Sequence, residues 1–151
     1  MAYIALLLGL GFSFTAYGLE VGDQAPCGLA QQINYNGDLL ENCISTVPTK
    51  ERYTVIEFAD LNSSTDLMRS ISLNDFYNNN RYVKVGVNAD DRDVYRYFVQ
   101  GSNRFDVRFP VALDTDGRLA QEFEVQSLPT LMIINRDNEI VYIQDASTDR
   151  D

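Results

Sequence analysis

The sequence predicts an α/β domain: a mixed central β-sheet flanked by helices on both faces, with a β-hairpin extension at its N-terminal side. Three observations carry this. Two runs rich in β-branched and aromatic residues, Tyr53–Ala59 and Tyr82–Val87, are each followed by apolar residues at helical spacing. Such alternation requires parallel strand pairing with right-handed crossovers. The last two extended runs, Thr130–Ile134 and Ile140–Ile143, meet at Arg136-Asp137-Asn138, a tight turn that makes them antiparallel.

The elements follow in order. Leu29 to Asn34 alternates weakly, Asn36-Gly37 is a two-residue hairpin signal, and Leu39 to Ile44 resumes the extended pattern. Pro48-Thr49-Lys50-Glu51 is a polar turn. Tyr53–Ala59 is apolar almost throughout, as expected of a strand covered on both faces. Ser63-Ser64-Thr65-Asp66 then opens a helix, with Ser63 as cap and Asp66 placed as in a reciprocal capping box. Asn78-Asn79-Asn80 ends it, and Tyr82–Val87 is the next strand. Asp91 to Gln100 reads as a helix with Val94, Tyr97 and Phe98 on its apolar face. Phe109–Leu113 is a short extended piece, Asp114-Thr115-Asp116-Gly117 a turn, and Leu119–Phe123 a short helix. The predicted order is β-hairpin, β, α, β, α, short α, β, β.

Composition narrows the function. The 151 residues have room for one domain, and 45% hydrophobic with 23% charged residues is a globular balance. A net charge of −10 excludes a nucleic-acid binder, which needs a dense cationic face. There is no histidine, which removes imidazole-based triads and most zinc and haem sites, and two cysteines are too few to ligate an iron–sulfur cluster. The acidic stretches Asn88–Asp93 and Asp114–Gly117 lack the spaced acids and closing Glu of an EF-hand loop, so they read as a helix start and a turn. No metal or other cofactor is expected.

Residues 1–18 carry no charge, contain the apolar run Ile4–Leu10 and end Ala16-Tyr17-Gly18, small at the positions a signal peptidase prefers. We read them as a signal peptide preceding a domain over 19–151. An uncleaved membrane anchor at the short limit of a bilayer span is the alternative, and a buried helix a third. The first two place the domain outside the cytoplasm, periplasmic or secreted.

Several motifs, in this order and spacing, resemble the thioredoxin-like superfamily. The likeness is to the periplasmic thiol–disulfide oxidoreductases related to TlpA and ResA, neighbours of the peroxiredoxins. The motifs are Val21-Gly22-Asp23-Gln24-Ala25-Pro26, Asn36-Gly37, the strand Thr54–Ala59, Phe109-Pro110-Val111 with Asp114–Gly117, Val125-Gln126-Ser127-Leu128-Pro129-Thr130, and Asp137–Val141. The resemblance covers about residues 20 to 144. It implies a thioredoxin-like fold, a cis Pro129, and an unpaired Leu128 backbone beside the helix start at Ser63. It also implies a groove at Ser63, Ser64, Leu128, Pro129 and Thr130 that accepts an extended peptide by strand pairing. Relatives continue into a terminal helix where this chain stops, so that helix is expected to be short or absent.

The departure from the family lies at its reactive centre. The family carries Cys-x-x-Cys where the central strand enters its helix, and the helix N-terminus stabilises the thiolate. Here that place reads Asn62-Ser63-Ser64-Thr65-Asp66, and no cysteine follows Cys43. A serine hydroxyl forms neither a thiolate at neutral pH nor a mixed disulfide. Without a base to activate it, Ser63 is better read as a helix cap, and no catalytic residue is assigned.

Cys27 and Cys43 enclose 15 residues across the first hairpin. In an oxidising compartment they read as a structural disulfide worth about 3 kcal/mol on a chain-entropy model. A relocated redox pair and free thiols are the alternatives. A turn at Asn36-Gly37 would set residue 27 opposite residue 46, so Cys43 is an offset partner and a bulge is expected. The function expected is an exported, redox-inactive, protein- or peptide-binding or accessory module with an unidentified protein or peptide partner. It contacts a membrane only if residues 1–18 persist as an anchor. The alternative is a thiol–disulfide oxidoreductase of unusual type using Cys27 and Cys43.

Overall fold

A computed structural model describes residues 18–34, 36–62, 80–104 and 109–145. The expected leader over 1–18 (all but its last residue), the helix opening at Ser63 and the segment after Asp145 lie outside the described residues. Seven strands form one mixed sheet: β1 (Leu29–Ile33), β2 (Leu39–Cys43), β3 (Tyr53–Ala59), β4 (Arg81–Val87), β5 (Val111–Asp114), β6 (Thr130–Asn135) and β7 (Ile140–Gln144). The described helices are α1 (Asp91–Arg104) and the short α2 (Arg118–Glu122). The spatial order is β2-β1-β5-β4-β3-β6-β7. Strands β3, β4 and β5 are parallel, and β1, β2, β6 and β7 join antiparallel to their neighbours.

Val111–Asp114 is a full strand, where the sequence order had only an extended piece. It lies between β4 and β1 and so joins the hairpin to the sheet. Its short length hides it from pattern reading, and its pairing on both edges makes it a strand. A second correction concerns the first hairpin. Asn36-Gly37 does not form a two-residue turn, because Ile33 pairs with Leu39 and the connection spans 34–38. Asn34 decides this: its Oδ1 accepts the Asn36 and Asp38 N–H groups, each at 2.9 Å, an Asx turn that outcompetes the tighter one.

Two apolar cores sandwich the sheet. One collects Ile56, Phe58, Val83, Val85, Met132 and Ile134 under Leu119 of α2 and Phe123, with Phe58 and Phe123 ring centroids 5.3 Å apart. The other collects Val55, Tyr82, Val111 and Leu131 under α1 residues Val94, Tyr97 and Phe98. Gly86 on β4 faces this second layer, and a Cβ there would lie 2.6 Å from the Leu61 side chain. Helix α1 begins with a reciprocal cap: Asp93 N–H donates to Asp90 Oδ1 and Asp90 N–H to Asp93 Oδ2, each at 3.0 Å. The Asp93 backbone N–H, then Arg92, hold the Asp90 carboxyl below the usual carboxylate range. This cap is intact above that range and is lost as pH falls through the lowered value.

The hairpin base wraps from the sheet edge onto α2. Arg118 Nη2 donates to Leu29 O at 2.9 Å, and Gly28 N–H to Glu122 Oε1 at 3.2 Å. Buried Arg81, at the start of β4, donates to Ile44 O at 2.9 Å, Thr46 O at 2.7 Å and Gln32 Oε1 at 2.7 Å. One guanidinium thereby fixes hairpin, following loop and central sheet together.

The centre of the sheet holds an ion pair that a reading of Tyr53–Ala59 as an apolar strand does not foresee. Glu57 of β3 and Lys84 of β4 are directly paired in register, and Lys84 Nζ lies 2.8 Å from Glu57 Oε1 with both side chains fully buried. Lys84 Nζ also lies 5.4 Å from the Tyr97 ring centroid. Removing one member leaves the other charge buried. Lys84→Met alone should therefore lower the unfolding free energy by about 3–5 kcal/mol, whereas Glu57→Leu with Lys84→Met should come much closer to wild type. Urea unfolding of both variants checks this; equal losses would show that the pair is not the source.

Candidate functional site

The three parallel strands end on one side of the sheet, where crevices of open α/β sheets form. Strand β3 ends at Ala59 and runs into Asp60-Leu61-Asn62. Across from it, β6 begins only at Thr130, paired with Phe58. Pro129 has no N–H to extend that ladder. The Leu128–Pro129 peptide is cis, as the resemblance implied. Thr130 Oγ1 donates to Ser127 O at 2.7 Å and ties the turn leading into β6. Among the described residues, the Leu128 N–H and C=O engage no partner, and the residue is 37% exposed.

Of the five expected groove residues, Leu128, Pro129 and Thr130 thus lie in sequence at the β3 end of the sheet. Ser63 and Ser64 lie outside the described residues, as does the capping role expected of Ser63 and Asp66. The other strand-end loops lie on the same side of the sheet. Asn62 N–H donates to Asp60 Oδ1 at 3.0 Å, and Arg96 of α1 donates to Asn62 Oδ1 at 3.3 Å. Asn88 N–H donates to Asp114 O at 2.6 Å, and Thr115 Oγ1 to Ala89 O at 3.1 Å. Asp114 is more than a turn residue: its buried carboxylate accepts the Leu119 N–H at 2.8 Å and the Ala120 N–H at 3.0 Å, capping α2 from four residues before the helix begins. Among the described residues Asp60, Asp91 and Asp116 are exposed on this side, as are Arg92 and Arg96, which pair with Asp90 and Asp93.

Glu57 and Lys84 are the residues near the site that sequence reasoning missed. Glu57 pairs across β3–β6 with Leu131, next to Thr130. A signal was present: one acid and one base, each alone in an otherwise apolar strand, on strands that must lie side by side in a parallel unit. Their chemistry here is structural charge balance beneath α1.

Cys27 and Cys43 form a disulfide, with Cα atoms 4.8 Å apart. The register sets Leu29 opposite Cys43 and runs unbroken to Ile33 and Leu39, so the bulge expected in this hairpin is not formed: the longer 34–38 connection shifts the pairing, and Cys27 lies two residues beyond Leu29. The offset is absorbed at Gly28, whose φ of +62° turns the chain, and a Cβ there would lie 2.6 Å from Ile44 and Phe123 side-chain atoms. The two cysteines border Asn135, the residue paired with Tyr53 at the start of β3. The disulfide thus borders the Tyr53 end of β3, and Leu128–Thr130 lie beside its Phe58 end. The only sulfur pair in the sequence does not occupy the place where the resemblance puts reactive cysteines.

A thioredoxin-like family model matches residues 51–140. No curated protein matches the chain. A Chlorobium tepidum structure assigned as the thiol:disulfide interchange protein DsbE is 18% identical, with a TM-score of 0.66 over 84% of this chain and 86% of that one. The reduced 2-Cys peroxiredoxin of Plasmodium vivax is 14% identical, with a TM-score of 0.70 over 84% and 72%. AhpC of Mycobacterium tuberculosis is 15% identical, with a TM-score of 0.66 over 85% and 87%. At these identities the likeness is one of fold.

The disulfide closes a 15-residue loop, so Cys27→Ser with Cys43→Ser should lower the unfolding free energy by about 3 kcal/mol. The m-value should rise, because the unfolded chain expands once the loop is open. Urea titration of the oxidised protein and the double variant measures both; an unchanged midpoint would show that the bond adds nothing to stability.

Proposed function

The chain belongs to the thioredoxin-like family, and from that premise we propose that it is an exported binding or accessory module of the branch related to TlpA and ResA. It holds an extended protein or peptide segment at the β3 end of the sheet without exchanging disulfides there. The observation that carries this reading is the pairing of two facts at one place. Leu128, an exposed apolar residue, offers an unpartnered backbone beside the end of β3, and the sequence supplies no cysteine anywhere beyond Cys43. A strand-end backbone of this kind adds an extended chain by main-chain hydrogen bonding, with the neighbouring side chains giving selectivity. Asp60, Asp91 and Asp116 on the same side of the sheet, on a chain of net charge −10, favour a segment carrying Lys or Arg.

The competing reading is an oxidoreductase that turns over protein disulfides through Cys27 and Cys43. Against it stands the place of that pair, which borders the Tyr53 end of β3 and not Leu128–Thr130, where the resemblance puts the substrate groove. Insulin reduction decides between the two. The binding module should leave insulin reduction by dithiothreitol at the blank rate, and turnover that Cys27→Ser abolishes would sink the reading.

Two further outcomes are expected. Peptides selected from a random library should be enriched in Lys and Arg next to apolar residues. Leu128→Asp should weaken their binding at least about ten-fold by calorimetry, and raised salt should weaken it further. Selected peptides that bind Leu128→Asp as tightly as wild type would move the site elsewhere. For export, mass spectrometry of protein recovered outside the cytoplasm should find Leu19 as the first residue; an intact N-terminus in a membrane fraction would support the anchor instead.

A further inference from the structure

The disulfide end of the sheet carries a second site, on observations independent of the peptide-binding reading. Cys27 is exposed and Cys43 half-buried. Both border an open depression of about 350 Å³, with Ser45, Thr46, Asn138 and Arg136 among its walls. Among the described residues no carboxylate lines it. Arg136 is the one charged residue among the described residues that line it. The Arg136 guanidinium, always protonated, is fixed at the wall by donating to Glu51 O at 2.8 Å and to Thr49 O.

We propose that the Cys27–Cys43 disulfide is a reversible exchange site for low-molecular-weight dithiols, entered at Cys27. One thiolate of the dithiol attacks Cys27 Sγ, the sulfur of the more exposed residue. The bond to Cys43 breaks, and its electron pair leaves on Cys43 Sγ, which takes a proton from water. The second thiolate of the dithiol then displaces Cys27 from the mixed disulfide. The protein gains two electrons and two thiols, and the dithiol is oxidised to its own disulfide. Arg136 favours the anionic attacker and the departing thiolate alike.

The opened pair stays poised to close, because the segments carrying the two sulfurs are held by other bonds. Ile44 N–H donates to Gly28 O at 2.9 Å, and Ser45 Oγ to Cys27 O at 3.2 Å. Ala25 N–H donates to Asn138 O at 2.9 Å, and Asn138 Nδ2 returns to Ala25 O at 2.8 Å. These bonds hold the segments on either side of the two cysteines in place. The site exchanges with small thiols stoichiometrically, as a switch, and this is compatible with a blank rate in insulin reduction.

The test uses the native full chain. It is equilibrated with graded ratios of reduced and oxidised dithiothreitol, quenched in acid, alkylated and weighed, with methyl NMR dispersion recorded at each ratio. Two alkylatable thiols should appear and disappear reversibly while the native dispersion persists. In a second arm, reduced Cys43→Ser, which keeps Cys27, should form its mixed disulfide with oxidised glutathione at least about ten-fold faster than Cys27→Ser. A disulfide that opens only as dispersion is lost, or equal rates in the two variants, would overturn the proposal. The wild-type titration is decisive whether or not either variant folds.

Discussion

The parallel pairing of β3 with β4 is the constraint on which the rest of the molecule depends. A slip of one residue would carry every side chain of a strand to the opposite face, exchanging the layer under α2 for the layer under α1. Apolar residues alone defend that register weakly here, because both faces of both strands are buried and Val, Ile and Phe pack on either side. Glu57 and Lys84 remove the ambiguity. They face each other at 2.8 Å in one register only, and any other leaves two charges buried apart. With β3 and β4 fixed, β5 and β6 add to their outer edges at set heights, and the two ends of the sheet acquire definite neighbours.

Those ends are built differently. At the β3 end, strand-end loops meet through backbone and Asp or Asn side chains, and Leu128 keeps its main chain open among the described residues. At the other end, the N-terminal segment, the hairpin base and the β6–β7 turn converge, and a covalent bond, the Arg81 guanidinium and several backbone hydrogen bonds close the junction. The sheet order makes this closure necessary. Strands β2 and β7 are opposite edges, so the hairpin base reaches the turn beside β7 only by crossing beneath the sheet, where Gly28 gives the required bend.

Much of the architecture was legible in the sequence because it rests on periodicity. Tyr53–Ala59, Thr130–Asn135 and the apolar face of α1 stand out by spacing alone, and the cis bond before Pro129 followed from a resemblance in motif order. The failures share another cause. Asn36-Gly37 carries a strong turn signal, but Asn34 supplies two side-chain acceptor bonds that select a longer loop, and such competition depends on geometry more than on dipeptide identity. Val111–Asp114 is too short for periodicity and becomes a strand through its two partners. Asp114 looked like part of a polar turn because its cap acts on residues five and six positions later. The candidate site was legible at Leu128–Thr130 by motif order, whereas Glu57 and Lys84 were hidden by treating each strand separately.

The separation of the two ends also bears on what replaces sulfur chemistry in this chain. A Cys-x-x-Cys centre gains affinity for its partner from a covalent intermediate, so its surrounding groove can bind weakly and still select. Without a sulfur at that end, selection has to come from non-covalent contacts, and main-chain pairing alone recognises any extended segment. On the proposed reading two features supply the missing discrimination: exposed Leu128 to fill an apolar contact, and the carboxylates of Asp60, Asp91 and Asp116 on that side of the sheet to favour cationic neighbours. The one cysteine pair borders the Tyr53 end of β3, where, on the same reading, it reports the thiol balance of its surroundings apart from the bound segment. On the proposed reading, binding and redox state are then set by different ends of one rigid sheet, and neither requires the other to be enzymatic.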